Sequence, residues 1–289
     1  MQATQSQSTA GTLPPAQPDV KSTLHRADPS SQLPRKHDVF GVGVSETSYS
    51  EAADLIIQAA RQRQRMLVDH MPVHGLIEAS QDASLREKIN HFDIVAPDGQ
   101  PVRWALNRFY KTGLTERVYG PELMLRLCAR AEQEQVGIYL YGSQLHVLER
   151  LSGNLLRRFP KLRIAGYESP PFRPLTMTED RETVSRINSS GAGLIFLGLG
   201  CPKQEHFAYN HRDSIQGVQL CVGAAFDFHA GCKKMAPAWM QRNGLEWAFR
   251  LMSEPRRLWK RYLRTNSLFI LKVLWHTCRI SHQTERSTV

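Results

Sequence analysis

The stretch GLIFLGLGCPKQEHF, residues 193–207, decides the fold class of this chain. Its first half is a short apolar run that ends in glycines, a pattern typical of a strand buried on both faces. Its second half is polar and begins a helix near Lys203. A buried strand that turns through glycine into a helix is the repeating unit of a parallel α/β sheet. The stretch therefore predicts an α/β protein.

The same alternation continues in both directions along the chain. Further strands are predicted at VFGVGVS (39–45), MLVDH (66–70), FDIVAPD (92–98), VGIYLYGS (136–143), LRIAGYE (162–168) and VQLCVGAAFDF (218–228). Helical stretches separate most of them, and the first of these begins at a Ser48-x-x-Glu51 capping box. Strands that alternate with helices predict a mostly parallel sheet with helices on both faces.

Composition divides the chain into three parts. Residues 1–36 are rich in Ser, Gln, Pro and Ala and nearly free of large apolar groups, so we expect a disordered tail there. Residues 37–240 carry the α/β pattern and form the predicted core. Residues 241–289 are predicted to be a basic, amphipathic helical appendage.

The charge balance points to an anionic partner. The chain has 37 Lys and Arg against 27 Asp and Glu, a formal net charge of +10. Its five cysteines include no C-x-x-C pair, which favours reduced thiols over a disulfide framework or a zinc site. The sequence lacks a secretory signal pattern and a run of about 18 apolar residues, so a cytoplasmic location is expected.

The appendage holds most of the net charge. From Arg242 to Val289 there are ten Lys and Arg against three acidic residues, interleaved with Trp, Tyr, Phe and Leu. This combination is typical of a helix that lies on an anionic membrane surface. A nucleic-acid-binding face and a dimerisation helix are the alternatives. Within the appendage, Arg256 and Arg257 are candidates for binding a diphosphate, because guanidinium groups match phosphate oxygens.

Candidate site residues follow the predicted strands, because ligands of open parallel sheets bind at the carboxyl ends of the strands. Asp98 ends one apolar run beside Gly99, which suits a general base that accepts a proton from a hydroxyl group. An Asp-Gly turn or a helix cap is the other interpretation of this pair.

The other strand ends predict a cradle for the phosphates of a nucleotide. Glycines allow backbone amides to face a phosphate, and a nearby cation can neutralise it. A buried acid such as Asp227 needs a partner, either a sugar hydroxyl or a neighbouring Lys or Arg. Ordinary strand-to-helix turns remain an alternative at each position. The residues predicted to form the cradle are Gly142, Ser143, Gly200, Lys203, Gln204, Glu205 and Asp227.

Six segments in order and spacing resemble the WecG/TagA/CpsF family, glycosyltransferase family 26. They are PDGQPVRWA, ERVYGPEL, YLYGS, RINSSGAGLIFLGLGCPKQEHF, GAAFDFHAGCKKMAPAWMQRNGLEWAFRL and EPRRLWKRYL. The resemblance spans roughly residues 39–270. It implies a Rossmann-like core and a C-terminal appendage that docks on the membrane and completes the active site.

The resemblance also implies an activity. Family members transfer a sugar, with inversion and without a metal, from UDP to an undecaprenyl-diphosphate-linked sugar during cell-envelope or exopolysaccharide assembly. By matching position, Asp98 resembles the family's proposed base, and Arg117 and Gln204 resemble active-site residues. Arg256 and Arg257 would reach the donor diphosphate. The expected partners are thus a UDP-sugar, a polyprenyl-diphosphate-linked sugar and the inner face of the plasma membrane, and neither a metal cofactor nor nucleic acid.

One segment departs from the family pattern. Where many members have Thr-x-Asn after a strand, this chain has Asp69, His70 and Met71, which we expect to face the sugar or the acceptor. The transferred sugar is therefore left open among a hexose, an N-acetylhexosamine and a uronic acid. A nucleotide-sugar-modifying enzyme such as an epimerase is a rival, although no nicotinamide-binding glycine pattern follows the first strand. A basic nucleic-acid-binding module is the rival without an enzymatic activity.

Overall fold

A computed structural model describes residues 33–286, with side chains described through residue 278. All but the last four residues of the predicted tail, 1–36, lie outside the described residues, and Lys36 already belongs to a strand. The described strands are β1 (Lys36–Val39), β2 (Val42–Ser45), β3 (Met66–Met71), β4 (Ile94–Pro97), β5 (Ile138–Gly142), β6 (Ile164–Glu168), β7 (Leu194–Gly198) and β8 (Val218–Cys221).

Helices separate the strands and form the whole C-terminal part of the described chain. They are α1 (Tyr49–Arg61), α2 (Val73–Gln81), α3 (Ala83–Asn90), α4 (Gln100–Tyr110), α5 (Gly120–Gln133), α6 (Leu145–Arg158), α7 (Met177–Ser189), α8 (Lys203–Asn210), α9 (Ala225–His229), α10 (Ala238–Arg242), α11 (Glu246–Ser253) and α12 (Pro255–Arg286).

Six strands form one parallel sheet in the order β4-β3-β8-β7-β5-β6. Successive side chains of a strand point to opposite faces, and the core follows this period. Ile138 and Leu140 of β5 pack into one apolar cluster together with helices α1, α5 and α6. Tyr139 and Tyr141 pack into a second cluster, with α2, α3 and α8. Helices on both faces of a parallel sheet confirm the predicted fold class.

The predicted strand at 39–45 is instead a hairpin. β1 and β2 pair antiparallel, with Lys36 opposite Ser45 and Val39 opposite Val42. Phe40 and Gly41 form the turn with φ of 60° and 90°, and two residues with positive φ are what a tight hairpin turn requires. Alternating apolar residues looked like one strand because the turn interrupts them for only two positions.

The last strand of the sheet is also shorter than predicted. β8 ends at Cys221, and Gly223, with φ of 50°, turns the chain into α9. Asp227 consequently lies on a short helix at the carboxyl edge of the sheet rather than on a strand. Its place beside the strand ends is unchanged.

The appendage consists of α10, α11 and α12. Leu258, Tyr262 and Phe269 of α12 are buried, and α12 packs against α2. Its exposed apolar side chains include Leu263, Ile270, Leu271 and Leu274. The appendage is therefore amphipathic, as predicted. Within the described residues, the apolar content of the long helices falls short of what crossing a bilayer requires.

Candidate active site

A polar cavity of about 330 Å³ opens at the carboxyl edge of the sheet. Five strands contribute to its wall through the residues that follow them, as parallel topology requires. The wall residues include His70 near the end of β3, Asp98 after β4, Ser143 after β5, Gly200 and Glu205 after β7, and Asp227 after β8. The appendage closes the remaining side with Arg250, Arg257 and Arg261.

A basic extension of about 380 Å³ adjoins the polar cavity and shares those three arginines. Lys233 and Lys234 also line it. The Nε atoms of Arg250 and Arg261 are buried without a hydrogen-bond partner among the described residues. Buried donors in a cluster of cations are suited to bind the oxygens of a diphosphate.

An aromatic cavity of about 550 Å³ adjoins the polar cavity and shares Asp98 with it. Its wall is largely apolar and comes from α2, α4 and the appendage. Trp104 of α4 and Trp247 of α11 line it together with Leu245, Phe269 and Ile270. Pro72, His74, Asp98, Tyr119 and Arg250 line both this cavity and the polar cavity. The carboxyl group of Asp98 thus belongs to two cavities of opposite character.

Asp98 is held in a defined orientation. Its Oδ1 accepts a hydrogen bond from the backbone N–H of Gly120, at 3.1 Å. Gly99 is the N-cap residue of the next helix, α4, which has no side-chain cap, so Asp98 does not cap that helix. Burial raises the pKa of Asp98, and the positive charge of Arg117 opposes this increase. A carboxyl group with a raised pKa is a stronger base once it is ionised.

Arg117 is bound to the appendage. Its Nη2 donates to Glu246 at 2.8 Å and to Gln241 at 3.2 Å. The hydroxyl group of Tyr119 donates to the same Glu246 carboxylate at 2.9 Å, and Arg250 pairs with it at 3.2 Å. Arg117 lines the aromatic cavity, as part of a network that joins the start of α5 to α11. This network gives Arg117 a structural role, and its expected active-site role stays a prediction.

The start of α8 supplies two cradle residues to the polar cavity. Gln204 accepts from the backbone N–H of Gly200 at 3.2 Å and donates to Glu205 at 3.1 Å. Lys203, predicted to supply a cation here, is exposed and does not line the described cavities. Adjacent residues on a helix point about 100° apart, so burying Gln204 and Glu205 turns Lys203 toward solvent.

The cradle residues after β5 have different roles. Ser143 has φ of 61° and lines the polar cavity. Gly142 does not line the cavity. It lies so close to β7 that an added Cβ would be 2.7 Å from the carbonyl carbon of Gly198. Gly142 therefore allows two strands to approach, and Ser143 faces the ligand space.

Asp227 and the appendage arginines complete the polar cavity. Asp227 pairs with Lys233 at 3.0 Å, which matches the structural alternative for this acid, although both side chains line the cavity.

Arg257 lines the cavity as predicted, but Arg256 is exposed on another face of α12. The sequence argument missed Arg250 and Arg261. Arg261 follows Arg257 by four residues on α12, a helical spacing that could have identified it, whereas Arg250 lies on the separate helix α11.

The last three residues of β3, Asp69, His70 and Met71, are divided between the polar cavity and the core. His70 lines the polar cavity. Asp69 and Met71 point to the opposite face of the sheet, because side chains alternate along β3, and both are buried outside the cavity walls. Of the three residues expected to face the sugar or the acceptor, the structure brings His70 alone to the described cavities.

Comparisons with known proteins identify relatives of this chain. The profile of the family described as "Glycosyl transferase WecG/TagA/CpsF family" matches residues 37–283. An N-acetylglucosaminyldiphosphoundecaprenol N-acetyl-beta-D-mannosaminyltransferase of Bacillus spizizenii is 30% identical over 200 residues, 69% of this chain and 75% of that protein. A protein of the same name in Bacillus subtilis is 30% identical over 187 residues, 64% of this chain and 70% of that protein.

Proposed function

Because the chain belongs to the WecG/TagA/CpsF family of glycosyl transferases, we propose that it transfers a sugar from UDP to a polyprenyl-diphosphate-linked sugar. The chain is a glycosyltransferase, since the family match covers nearly all of the described residues and both relatives have that activity. The relatives' name specifies an undecaprenyl-diphosphate-linked acceptor. The reaction contributes to cell-envelope or exopolysaccharide assembly in this proposal.

One observation carries the proposal: Asp98 lines both the polar cavity and the aromatic cavity. A transferase must hold its donor and its acceptor on either side of the base that takes the proton of the acceptor hydroxyl group. The base must lie within hydrogen-bond distance of the attacking hydroxyl group, and that hydroxyl must face the anomeric carbon. A carboxyl group shared by two adjoining cavities meets this requirement.

The polar cavity and its basic extension suit the donor. Arg250, Arg257 and Arg261 offer guanidinium groups to the diphosphate of UDP, and the loops after β5, β7 and β8 surround the remaining space. The transferred sugar would then lie at the His70 and Asp98 end. In this orientation, the bond between the sugar and the diphosphate lies between the arginines and Asp98. This is the bond that breaks during transfer.

The aromatic cavity suits the acceptor. Trp104 and Trp247 offer flat apolar surfaces, which sugar rings and lipid chains both contact favourably. An acceptor bound there would present its hydroxyl group to Asp98 from the side opposite to the donor. The hydroxyl group would then attack the face of the anomeric carbon opposite to the departing UDP, and this attack inverts the configuration of that carbon.

The proposed step needs no covalent intermediate. The acceptor oxygen forms a bond to the anomeric carbon while its proton passes to Asp98. The bond between that carbon and the diphosphate oxygen breaks, and its electron pair leaves with UDP. Arginine side chains neutralise the charge that develops on the diphosphate, which is the role that a metal ion has in other transferases. We therefore expect metal-independent transfer.

The exposed face of α12 suits association with the inner face of the plasma membrane. Exposed Leu263, Ile270, Leu271 and Leu274 share this helix with several Lys and Arg residues. Apolar and basic side chains together favour the surface of an anionic bilayer, where a polyprenyl-linked acceptor is located.

The proposal is tested by measuring UDP release with purified protein, a synthetic polyprenyl-diphosphate-linked N-acetylglucosamine, liposomes and a series of UDP-sugars. Release that depends on the acceptor and persists in EDTA supports it. Release that requires a divalent cation contradicts the metal-independent step. No acceptor-dependent release from any UDP-sugar contradicts the proposed reaction.

A further inference from the structure

Gln100 brings an unpartnered hydrogen-bonding atom to the aromatic cavity. Its side chain lines that cavity and is only 9% exposed. Its Oε1 atom is buried without a hydrogen-bond partner among the described residues. Buried polar atoms of folded proteins nearly always have a partner, and an amide oxygen only accepts. An unpaired oxygen on a residue of the cavity wall therefore indicates a ligand that donates a hydrogen bond to it.

Helix α4 places Gln100 between the proposed base and an aromatic ring. Gln100 is the first residue of α4 and follows Asp98 by two residues, so their Cα atoms are at most about 7 Å apart. Trp104 follows Gln100 by four residues, which puts both on the same face of the helix. All three residues line the aromatic cavity. A carboxyl group, an amide and a flat ring thus occur together in one wall.

The appendage packs directly against this part of the wall. Gly244 lies between α10 and α11, has φ of 70° and also lines the cavity. A Cβ added to Gly244 would be 2.8 Å from Cη2 of Trp104 and 3.4 Å from Cβ of Gln100. The positive φ and the close approach both require glycine here. The turn at Gly244 therefore holds the ring of Trp104 beside Gln100.

Gln100 borders only one of these two cavities. It is absent from the described wall of the polar cavity, whereas Asp98 lines both cavities. In the proposed function, the aromatic cavity binds the acceptor. The polyprenyl chain of that acceptor has no hydrogen-bond donor, and the oxygens of its ionised diphosphate only accept. The donor that Gln100 lacks can therefore come only from the acceptor's sugar.

We propose that Gln100 is an acceptor-binding residue, whose Oε1 accepts a hydrogen bond from a hydroxyl or amide N–H group of the acceptor sugar. This inference rests on the proposed function and assigns a residue to its acceptor. The hydrogen bond and the contact of the sugar ring with Trp104 orient the attacking hydroxyl group toward Asp98. Gln100 also determines specificity, because a sugar without the matching donor group leaves Oε1 unpaired.

Gln100→Met tests this role, because methionine has a similar length and shape and lacks the amide. We expect kcat/KM for the acceptor to fall by about tenfold or more, since a buried group of the sugar loses its partner. UDP affinity, measured by calorimetry, should not change, because Gln100 is outside the described wall of the polar cavity. An unchanged kcat/KM for the acceptor, or an equal loss of UDP affinity, overturns the inference.

Stability separates a binding role from a structural one. In the free protein Oε1 has no partner among the described residues, so an apolar replacement removes a buried unpaired atom. Gln100→Met should therefore have a urea denaturation midpoint at least equal to that of the wild type. A lowered midpoint would show that the amide contributes to folding and would overturn the inference.

Acceptor analogues identify the group that binds Gln100. Polyprenyl-diphosphate-linked N-acetylglucosamine is compared with analogues in which hydrogen replaces one hydroxyl group or the acetamido group. The analogue without the attacked hydroxyl group is not a substrate. One of the others should lose about tenfold in kcat/KM with the wild type and almost nothing with Gln100→Met, because its missing group has no partner there. Equal losses in the two proteins for every analogue would overturn the inference.

A matched control is available in Gln219 of β8. Its side chain is buried, and its Oε1 also has no partner among the described residues. Gln219 lies outside the described cavity walls, however, so no substrate is expected to reach it. Gln219→Met should keep the acceptor kcat/KM and the full loss with the discriminating analogue. Equal effects of Gln219→Met and Gln100→Met on the acceptor would overturn the role of Gln100.

Failure of the proposed function gives a different result. If the wild type shows no acceptor-dependent UDP release from any UDP-sugar, the proposed reaction is contradicted and this inference with it. Normal acceptor kinetics in both the wild type and Gln100→Met overturn this inference alone.

Discussion

At the residue scale, Asp98 and Asp93 form a natural comparison, since they flank the same strand. Asp98 follows β4 and lines both cavities, whereas Asp93 precedes β4 and accepts the backbone N–H of Leu67 at 2.7 Å. The two carboxyl groups thus occupy opposite edges of the sheet. In the proposed mechanism only the one at the carboxyl edge removes a proton.

Asp98→Asn should fold, bind UDP and lose transfer. An amide cannot accept the proton of the acceptor hydroxyl, and loss of a general base typically lowers kcat by about 10²–10⁴-fold. The measurement is acceptor-dependent UDP release, with UDP affinity determined by calorimetry. Asp93→Asn, which keeps an oxygen for the Leu67 N–H, is the control and should keep its activity. Normal turnover by Asp98→Asn would remove this residue from its proposed role.

Glu205 should make stability depend on pH. Burial raises the pKa of its carboxyl group from 4.5 to about 7 in the folded protein. As pH rises from about 4.5 to 7, the unfolded chain releases this proton and the folded protein retains it, so the free energy of unfolding falls. Over this pH range, the free energy of unfolding of the wild type should fall by about 1–3 kcal/mol more than that of Glu205→Gln.

Urea denaturation at both pH values measures this difference. Glu122→Gln, at an exposed position paired with Arg126, is the control and should follow the wild type. Parallel changes in the wild type and Glu205→Gln would show that the Glu205 carboxyl group has no abnormal titration.

The positions of individual site residues show how much of the candidate site could be predicted from the sequence. The residues after the strands, among them Ser143, Gly200 and Gln204, were predicted to meet because parallel strands end at one edge, and the structure brings them to one cavity. Their chemical roles remain predictions. Lys203 and Arg256 turn away because one residue on a helix does not reveal which face is buried. Which residues of these two helices face the cavity can be seen only when packing has fixed the rotation of each helix.

At the element scale, Glu246 joins the appendage to the core. This one carboxylate on α11 binds Arg117, Tyr119 and Arg250, all of which line a cavity. Its negative charge also raises the pKa of Asp98, whereas Arg117 lowers it. The position of α11 and the basicity of Asp98 are therefore linked through a single residue.

Glu246→Gln should shift the acid limb of the pH–activity profile to lower pH. Removing the negative charge, and with it part of the neutralisation of Arg117, lowers the pKa of Asp98, so the base stays ionised in more acidic solution. A purely structural loss would lower kcat/KM at every pH without moving the limb. Glu168→Gln is the control, because Glu168 binds Arg186 and Thr183 away from the cavities. An unmoved limb in Glu246→Gln would contradict the link.

The elements themselves were largely predictable. Every strand of the parallel sheet coincides with a predicted run, although β3 continues one residue past its run, because strands of parallel sheets are rich in apolar residues. The hairpin of β1 and β2 was missed because a two-residue turn at Phe40 and Gly41 hardly disturbs the alternation. The end of β8 was missed because apolar residues continue past it, through the turn at Gly223 and into α9.

At the scale of the whole molecule, charge and exposed apolar area concentrate on the appendage. The core carries little of the +10 net charge, and the exposed Leu and Ile residues of α12 lie in the same C-terminal region as the excess of Lys and Arg. This asymmetry gives the molecule one face suited to an anionic bilayer.

Leu274→Glu should weaken binding to anionic liposomes while leaving UDP affinity unchanged. Leu274 is 58% exposed on α12, and a carboxylate there adds a charge that anionic lipids repel. We expect a loss of about tenfold in liposome affinity, measured by sedimentation. Leu145→Glu, at a similarly exposed leucine on α6, is the control. Equal sedimentation of both variants would place the membrane-binding face elsewhere.

Arg257 and Arg261, which line the polar cavity, lie on the same helix as the exposed Leu271 and Leu274. In the proposed function this helix takes part in two equilibria, the binding of UDP and the binding of the bilayer. These two equilibria form a closed thermodynamic cycle. Any factor by which a bilayer tightens UDP binding must equal the factor by which UDP tightens adhesion to the bilayer. If the bilayer tightens UDP binding, the enzyme therefore resides longer on the membrane with the nucleotide bound than after its release.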